Sequence, residues 1–315
     1  MSLWKLLRAL PIRRKHTFAT ISPPEGATTG TGTGLPAPDT VHLSFSGGEA
    51  RGYAHIGCLQ AVERLGLRVT EVSGSSIGAL VAALVAAGYT AADIAEVGTT
   101  LSRRQFYRYN WPEARALLNL VRRRPARIPA GIWSLDPYHQ TVSRLLRGAR
   151  FQDLTLPCVI QATDLTNLRP IWFSRALDPE MAVAFAVTAS SAYPGLMTPV
   201  EWGGRLLADG GPFVDLAAVP IGAARILVSN VSSHGYAREA ITSVPKVVGA
   251  YLRYHERATQ PPAAVGTIPV TVITYAATLA PLKAFRQPAP AVARQVIAEA
   301  CATALMALSG EGGRR

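Results

Sequence analysis

The chain has 315 residues, 49% of them apolar, enough for a large buried core in one big domain or two ordinary ones. Lysine and arginine outnumber acids 32 to 20, a formal charge of +12, which favours polyanionic partners: nucleic acid or anionic lipid head groups. Cys58, Cys158 and Cys301 are too widely spaced for a disulfide framework or a metal knuckle and suggest a reducing compartment, and no run of ~18 apolar residues spans a bilayer.

Residues 1–15 read as a short basic amphipathic segment, with Trp4, Leu6, Leu7 and Leu10 able to share a helical face. They are too short and too basic for a secretory signal. Residues 21–40 are rich in Pro, Gly and Thr and read as a flexible linker. The expected organisation is therefore a basic segment with linker over residues 1–40 and a folded domain over residues 41–315.

Residues 41–45 predict a strand. It runs into Ser46-Gly47-Gly48-Glu49-Ala50-Arg51-Gly52 and then a helix from about Tyr53 to Leu65. Strand, glycine-rich turn and helix point backbone N–H groups at an anion. The turn fails as a phosphate loop, because Tyr53-Ala54 follows Gly52 where lysine and a hydroxyl residue are needed. It fails as a dinucleotide fingerprint because Glu49 takes the place of the second glycine. An oxyanion hole remains as a use for such a turn.

Residues 69–88 hold a second strand, the turn Gly74-Ser75-Ser76-Ile77-Gly78, and a helix from Ala79 to Ala87 closed by Gly88. Strand, G-x-S-x-G, helix is the form of a nucleophile elbow, with Ser76 on a turn too tight for side chains at its flanks. Residues 91–127 are helical in pattern and basic, interleaved with Phe106, Tyr107, Tyr109 and Trp111. Membrane docking, nucleic-acid contact and a plain solvated face all fit that stretch.

Further on, residues 156–165 and 169–174 predict two strands joined by a hairpin at Thr166-Asn167, and residues 179–188 a helix. A turn follows at Ala189-Ser190-Ser191-Ala192-Tyr193-Pro194-Gly195. A ribbon bent at Gly203-Gly204 then delivers Asp209-Gly210-Gly211. Residues 224–231 and 270–275 predict buried strands, and residues 289–308 a closing helix.

A serine nucleophile needs a base. For a triad in the order serine, acid, histidine, only His139, His234 and His255 follow Ser76, and His234, in a loop after a predicted strand, is the best placed. His55, on the helix after the glycine turn, reads as a packing or capping residue. Asp209 lies at a strand end before two glycines, where a side chain on a tight turn is displayed.

Four blocks in this order resemble the bacterial patatin-like phospholipases. Ser46 to Gly52 is similar to that family's G-G-G-x-R-G loop, and Gly74 to Gly78 to its G-x-S-x-G. Ala189 to Gly195 is similar to its A-S-x-x-x-P-[GA] segment, and Asp209-Gly210-Gly211 to its D-G-[GA]. The resemblance implies an α/β fold, a three-layer α/β/α sandwich around a central, mostly parallel sheet. It implies a catalytic Ser76–Asp209 dyad in place of a triad, and an oxyanion hole from Gly47, Gly48 and Glu49. It implies Arg51 ordering the loop or contacting a phosphate, and no metal or organic cofactor. The implied activity is lipid acyl hydrolysis of the phospholipase A or lysophospholipase type, through an acyl-enzyme. With the basic charge, this leads to an expected cytoplasmic protein that meets phospholipid or another acyl ester at an anionic membrane surface, not nucleic acid. Glu49 replaces the loop's third glycine, so a weakened, lipid-binding member is the alternative, and a basic nucleic-acid-binding protein a further one. A carboxylate aimed at the oxyanion would cost ~4 kcal/mol at 4 Å; turned away beside Arg51, it would cost little.

Overall fold

A computed structural model describes residues 39–101, 105, 108–109, 131, 133–232, 261–275, 282 and 287–310. The N-terminal segment and linker, most of the basic stretch after Leu101, and His234 and His255 lie outside the described residues.

β1 (Thr40–Phe45) leads through a 3-10 turn (Glu49–Gly52) into α1 (Tyr53–Arg64), β2 (Arg68–Ser75) and α2 (Ile77–Ala86). α3 (Ala91–Thr100) starts at a capping box in which Thr90 and Asp93 satisfy each other's backbone N–H groups. A ribbon of β3 (Arg108–Tyr109) and β4 (Trp133–Ser134) precedes α4 (Asp136–Leu145). Then come β5 (Cys158–Asp164), β6 (Arg169–Ser174), α5 (Val183–Ser190), β7 (Val200–Trp202) and β8 (Arg205–Asp209). β9 (Arg225–Asn230), β10 (Ala264–Val265), β11 (Ile268–Thr274) and α6 (Pro290–Gly310) follow.

Two residue ranges differ from expectation. Residues 91–127, helical in pattern, hold α3 as far as Thr100 and then strand β3 at Arg108–Tyr109, whose backbone pairs with Trp133–Ser134 instead. The helix expected over residues 179–188 starts at Val183, because the chain before it pairs with its neighbours instead. Phe151 and Gln152 donate their N–H groups to the carbonyls of Met181 and Pro179 at 3.1 and 3.0 Å.

Nine strands form one sheet, in the order β10-β11-β9-β1-β2-β5-β8-β7, with β6 also on β5. β11, β9, β1, β2 and β5 are parallel; the other pairings are antiparallel. The chain thus builds outward from β1 to one side through β2 and β5, and returns to fill the other side with β9 and β11. In open sheets of this kind the crevice at the carboxyl ends beside such a reversal is where ligands bind.

Strand residues alternate between two cores. Val41, Leu43 and Phe45 of β1, Leu227 of β9 and Ile273 of β11 join the main core with α1, α2, α3, α5 and α6. Ile226 and Val228 face the other way, under Phe213 and Leu216 of the segment after Asp209, and Val159 of β5 packs there with Val214 and Val219. The sheet is covered on both faces, an α/β sandwich.

β1 carries a polar stripe on that second face, Thr40, His42 and Ser44, all buried. Burial is tolerated because partners are supplied. His42 lies 3.2 Å from the Glu71 carboxylate and 2.8 Å from the Ser73 hydroxyl, and the Ser73 hydroxyl donates to Ser44 at 3.0 Å.

Candidate active site

The elbow is built by two close approaches. A Cβ on Gly74 would stand 2.2 Å from the Gly78 carbonyl oxygen, and one on Gly78 would stand 2.2 Å from the carbonyl oxygen of Phe45. With both side chains absent, strand and helix close on each other and Ser76 is pushed to φ 55°, ψ −124°. A non-glycine residue there stores on the order of 1–3 kcal/mol of strain. Ser76 occupies the N-cap position of α2, yet its side chain makes no capping bond, so the hydroxyl is not drawn into the helix end. The N–H of Ser76 donates to the Ser190 hydroxyl at 2.8 Å, and that hydroxyl donates to the Gln161 carbonyl at 2.6 Å.

Strand register brings Asp209 to the same place. β6 takes one edge of β5 from Val159 to Asp164. β2 and β8 must therefore share the other edge, β2 beside Cys158–Gln161 and β8 beside Ala162–Asp164. They run toward each other and meet end to end: Ser75 pairs with Gln161 and Asp209 with Ala162, the next residue along. One strand residue is about 3.3 Å of rise. Residues 76 and 209 are thus neighbours by construction of the sheet.

The turn after Asp209 is clamped. The Asp209 Oδ1 accepts from the Gly211 N–H at 2.9 Å, and the Asp209 N–H donates to the Ala192 carbonyl at 2.9 Å. The Ser75 hydroxyl donates to the Gly211 carbonyl at 2.6 Å. Buried Gln161 donates through Nε2 to the carbonyls of Gly210 and Phe213 at 2.7 and 2.9 Å. Its Oε1 accepts from the Asp215 N–H at 2.8 Å and the Trp172 ring N–H at 3.0 Å. All four amide hydrogen-bonding positions of Gln161 are used, three of them to hold this turn and its continuation.

The glycine turn after β1 lies across both. A Cβ on Gly47 would stand 2.7 Å from the Gly211 carbonyl oxygen and 3.3 Å from Cβ of Ser76. Of its three candidate N–H donors, that of Gly47 is taken by the Pro212 carbonyl at 2.7 Å. Gly48 and Glu49 carry the other two donors expected from sequence. The Gly48 carbonyl accepts from the Arg51 N–H at 3.1 Å and from Arg51 Nε at 3.0 Å. In a planar trans peptide the C=O and the following N–H point opposite ways, so Arg51 turns the Glu49 N–H away from itself. The Ser46 hydroxyl does the same for the Gly48 N–H, donating to the Gly47 carbonyl at 3.2 Å and accepting the Val231 N–H at 2.8 Å. Glu49 sits at φ 56°, the left-handed region.

His55 supports this turn from behind. Its Nε2 lies 2.9 Å from the Ser46 carbonyl, which only accepts, so Nε2 carries the proton. Nδ1 then accepts from the Ser229 hydroxyl at 2.8 Å. Burial drives the His55 pKa down to about 4, and the ring packs edge-on to Phe45 with centroids 5.2 Å apart. It is a packing and tethering residue, as its helical position suggested. His139 lies in the first half of α4, 3.1 Å from the Thr188 hydroxyl.

A cleft enclosing about 1160 Å³ of empty space, the solvent at its mouth included, has Ser76, Asp209 and Glu49 in its wall. Its depth is apolar: Leu80, Leu84, Ile94, Val97, Leu101 and Met197. Ser76, Leu80 and Leu84 repeat at four-residue spacing, so α2 lines the cavity for about 12 Å from the serine. A second, polar recess of about 380 Å³ shares Ser76, Asp209 and Glu49 and adds Gly48, Arg51 and Ser232. Among the described residues no group of three or more His, Cys, Asp or Glu gathers to hold a metal ion. Local pattern does not reveal Gln161, Ser190 or the cavity residue Tyr193 as site residues. Only the A-S-x-x-x-P-G block around Ser190 and Tyr193 offered a signal.

Residues 43–225 match the family described as patatin-like phospholipase. An uncharacterised NTE family protein of Mycobacterium tuberculosis is 34% identical over 225 residues, covering 70% of this chain and 56% of the relative. Patatin-like phospholipase domain-containing protein 6 of Homo sapiens is 28% identical over 188 residues, covering 57% of this chain and 12% of its own length. The chain therefore spans about half of the mycobacterial relative and much less of the human one. Among solved structures, VipD from Legionella pneumophila aligns over 87% of this chain and 68% of its own, with 14% identity and a TM-score of 0.49.

Proposed function

Because the chain belongs to the patatin-like phospholipase family, we propose that it is a lipid acyl hydrolase that works through a Ser76–Asp209 dyad. The observation that carries this reading is the end-to-end meeting of β2 and β8 on one edge of β5, at the wall of an apolar cavity. Asp209 takes the hydroxyl proton of Ser76 as Oγ attacks a fatty-acyl ester carbonyl. The N–H groups of Gly48 and Glu49 hold the oxygen that becomes negative; losing one such donor typically costs ~10² to 10³ in turnover. The proton on Asp209 passes to the departing alkoxide, leaving Ser76 acylated. Water, giving its proton to Asp209, then releases the fatty acid and restores the serine. The acyl chain lies along Leu80 and Leu84, and the leaving group occupies the recess beside Arg51.

The test is hydrolysis of a mixed-chain phospholipid by the purified protein. Wild type releases fatty acid. Ser76→Ala lowers the rate ~10³-fold or more, and Asp209→Asn ~10²-fold or more. Turnover by Ser76→Ala at the wild-type rate rejects the reading.

The strained backbone of Glu49 favours a second reading, a lipid-binding member with weakened chemistry. The two bonds from Arg51 to the Gly48 carbonyl argue against it, since they hold the Glu49 N–H turned the other way. Glu49→Gly should then change turnover by less than ~10-fold; a gain of ~10²-fold or more favours the second reading.

A further inference from the structure

Two turns project from the sheet at the end where Ser76 lies. One joins β5 to β6; the other joins β7 to β8 through Gly203 and Gly204, both at positive φ. β5 continues beyond Gln161 and Ala162, where Ser75 and Asp209 pair, to Asp164 and the turn after it. At about 3.3 Å per residue the tip stands on the order of 10 to 15 Å beyond the dyad. The second turn lies alongside: Leu207 pairs with Asp164, and the Leu165 N–H donates to the Leu206 carbonyl at 2.8 Å.

Three large apolar side chains are displayed there. Leu168 is 85% exposed, Leu206 44% and Leu165 36%. Leu168 also sits at φ 51°, a region that residues other than glycine, asparagine and aspartate seldom enter. The tip is held, not loose. The Asp164 carboxylate accepts from the N–H groups of Thr166 and Asn167 at 3.0 and 3.1 Å and from the Asn167 side-chain amide at 2.7 Å. The Thr166 hydroxyl accepts from the Leu206 N–H at 3.0 Å. Such bonding fixes the tip with Leu168 in a strained shape that brings the fold no burial.

The tip itself carries two arginines and two acids, in a chain whose formal charge is +12. Exposed Arg169 follows Leu168, and Arg205 precedes Leu206, lying 5.7 Å from the Trp202 ring. Of the two nearby acids, Asp164 is buried in the bonds just named and faces Arg205 at 3.8 Å; Glu201, opposite Leu206, is exposed. Leucines at the apex with arginines at the flank match a bilayer interface, apolar within and phosphate at its surface.

We propose that this double tip docks on an anionic bilayer, with Leu165, Leu168 and Leu206 entering the interface and Arg169 and Arg205 meeting lipid phosphates. Docking there would set the Ser76 cavity near the lipid it draws from. That consequence rests on the hydrolase reading above; the docking does not.

The experiment is sedimentation of the full chain with vesicles of phosphatidylcholine, alone or mixed with phosphatidylserine, beside turnover of a water-soluble short-chain ester. Wild type should prefer the mixed vesicles. Leu165→Ser with Leu168→Ser should lower partition about tenfold or more, at unchanged short-ester turnover. Should that double variant misfold, Arg169→Glu carries the test, with an expected loss of about fivefold or more on mixed vesicles. Partition equal to wild type in these variants overturns the proposal. So does equal binding of wild type to neutral and mixed vesicles, or a self-association that the leucine substitutions abolish with no vesicle binding. Vesicle binding lost in the variants, with no ester cleaved by wild type, supports the docking and rejects the hydrolase reading alone.

Discussion

Two buried residues next to the proposed dyad illustrate how much of the site lies in its support. His55 is held neutral by burial, with its pKa lowered from 6.5 to about 4. The unfolded chain takes up a proton as pH falls through 6.5, while the folded chain resists until about 4. The stability this histidine contributes is therefore complete above pH 6.5 and is lost progressively between there and about 4, amounting to roughly 3 kcal/mol at most. Denaturant unfolding across that range should show a steeper decline in wild type than in His55→Gln; parallel curves contradict the assignment. Ser190 is the second residue. It joins the Ser76 N–H to the Gln161 carbonyl, so Ser190→Ala leaves one group at each end unsatisfied. The expected cost is about 1–3 kcal/mol in stability. A displaced elbow should also lower kcat ~10-fold to 10²-fold while KM changes little. An unchanged kcat would show that Ser190 does not position the nucleophile.

At the scale of elements, the elbow depends on β2 and α2 closing without side chains between them. Gly78→Ala would put a methyl group 2.2 Å from the carbonyl oxygen of Phe45, on a neighbouring strand whose backbone cannot yield. A loss of about 3 kcal/mol or more is expected, read as a lower denaturation midpoint; a stable, active variant would mean β1 and α2 can part. The elements themselves were largely legible. Gly74 and Gly78 mark the turn around Ser76, Thr166-Asn167 marks the β5–β6 hairpin, and Gly203-Gly204 marks the ribbon before Asp209. Pro179 misled, because a proline suits the first turn of a helix. Here it belongs to a segment whose carbonyls accept bonds from residues 151 and 152. Nor does local pattern say that β2 and β8 share one edge of β5. That follows from strand order, and strand order depends on residues far apart in the chain. The same holds for Gln161, which reads as one polar residue in an apolar strand until its four partners on other segments are seen.

For the whole molecule, the last helix completes the support of the first turn. α6 is the described helix with the length and apolar content of a membrane span, yet its face of Val296, Ile297, Ala300, Cys301 and Ala304 is buried in the main core. It packs closely on α1, where a Cβ on Gly57 would stand 2.4 Å from the Ile297 carbonyl oxygen. Gly57→Leu should force the two helices apart, lowering stability by about 3 kcal/mol or more and loosening the glycine turn that leads into α1. Retained cooperative unfolding at the wild-type midpoint would show that this contact is dispensable. The sheet thus ends β2 and β8 against consecutive residues of β5, and the helices hold the glycine turn across that point. The most direct measurement is peptide mass mapping after treatment with a fluorophosphonate, which bonds to an activated serine. A single adduct on Ser76 is expected, absent in Ser76→Ala and formed ~10²-fold more slowly in Asp209→Asn. An adduct on another serine, or undiminished labelling of Asp209→Asn, would contradict the pairing on which the proposed function stands.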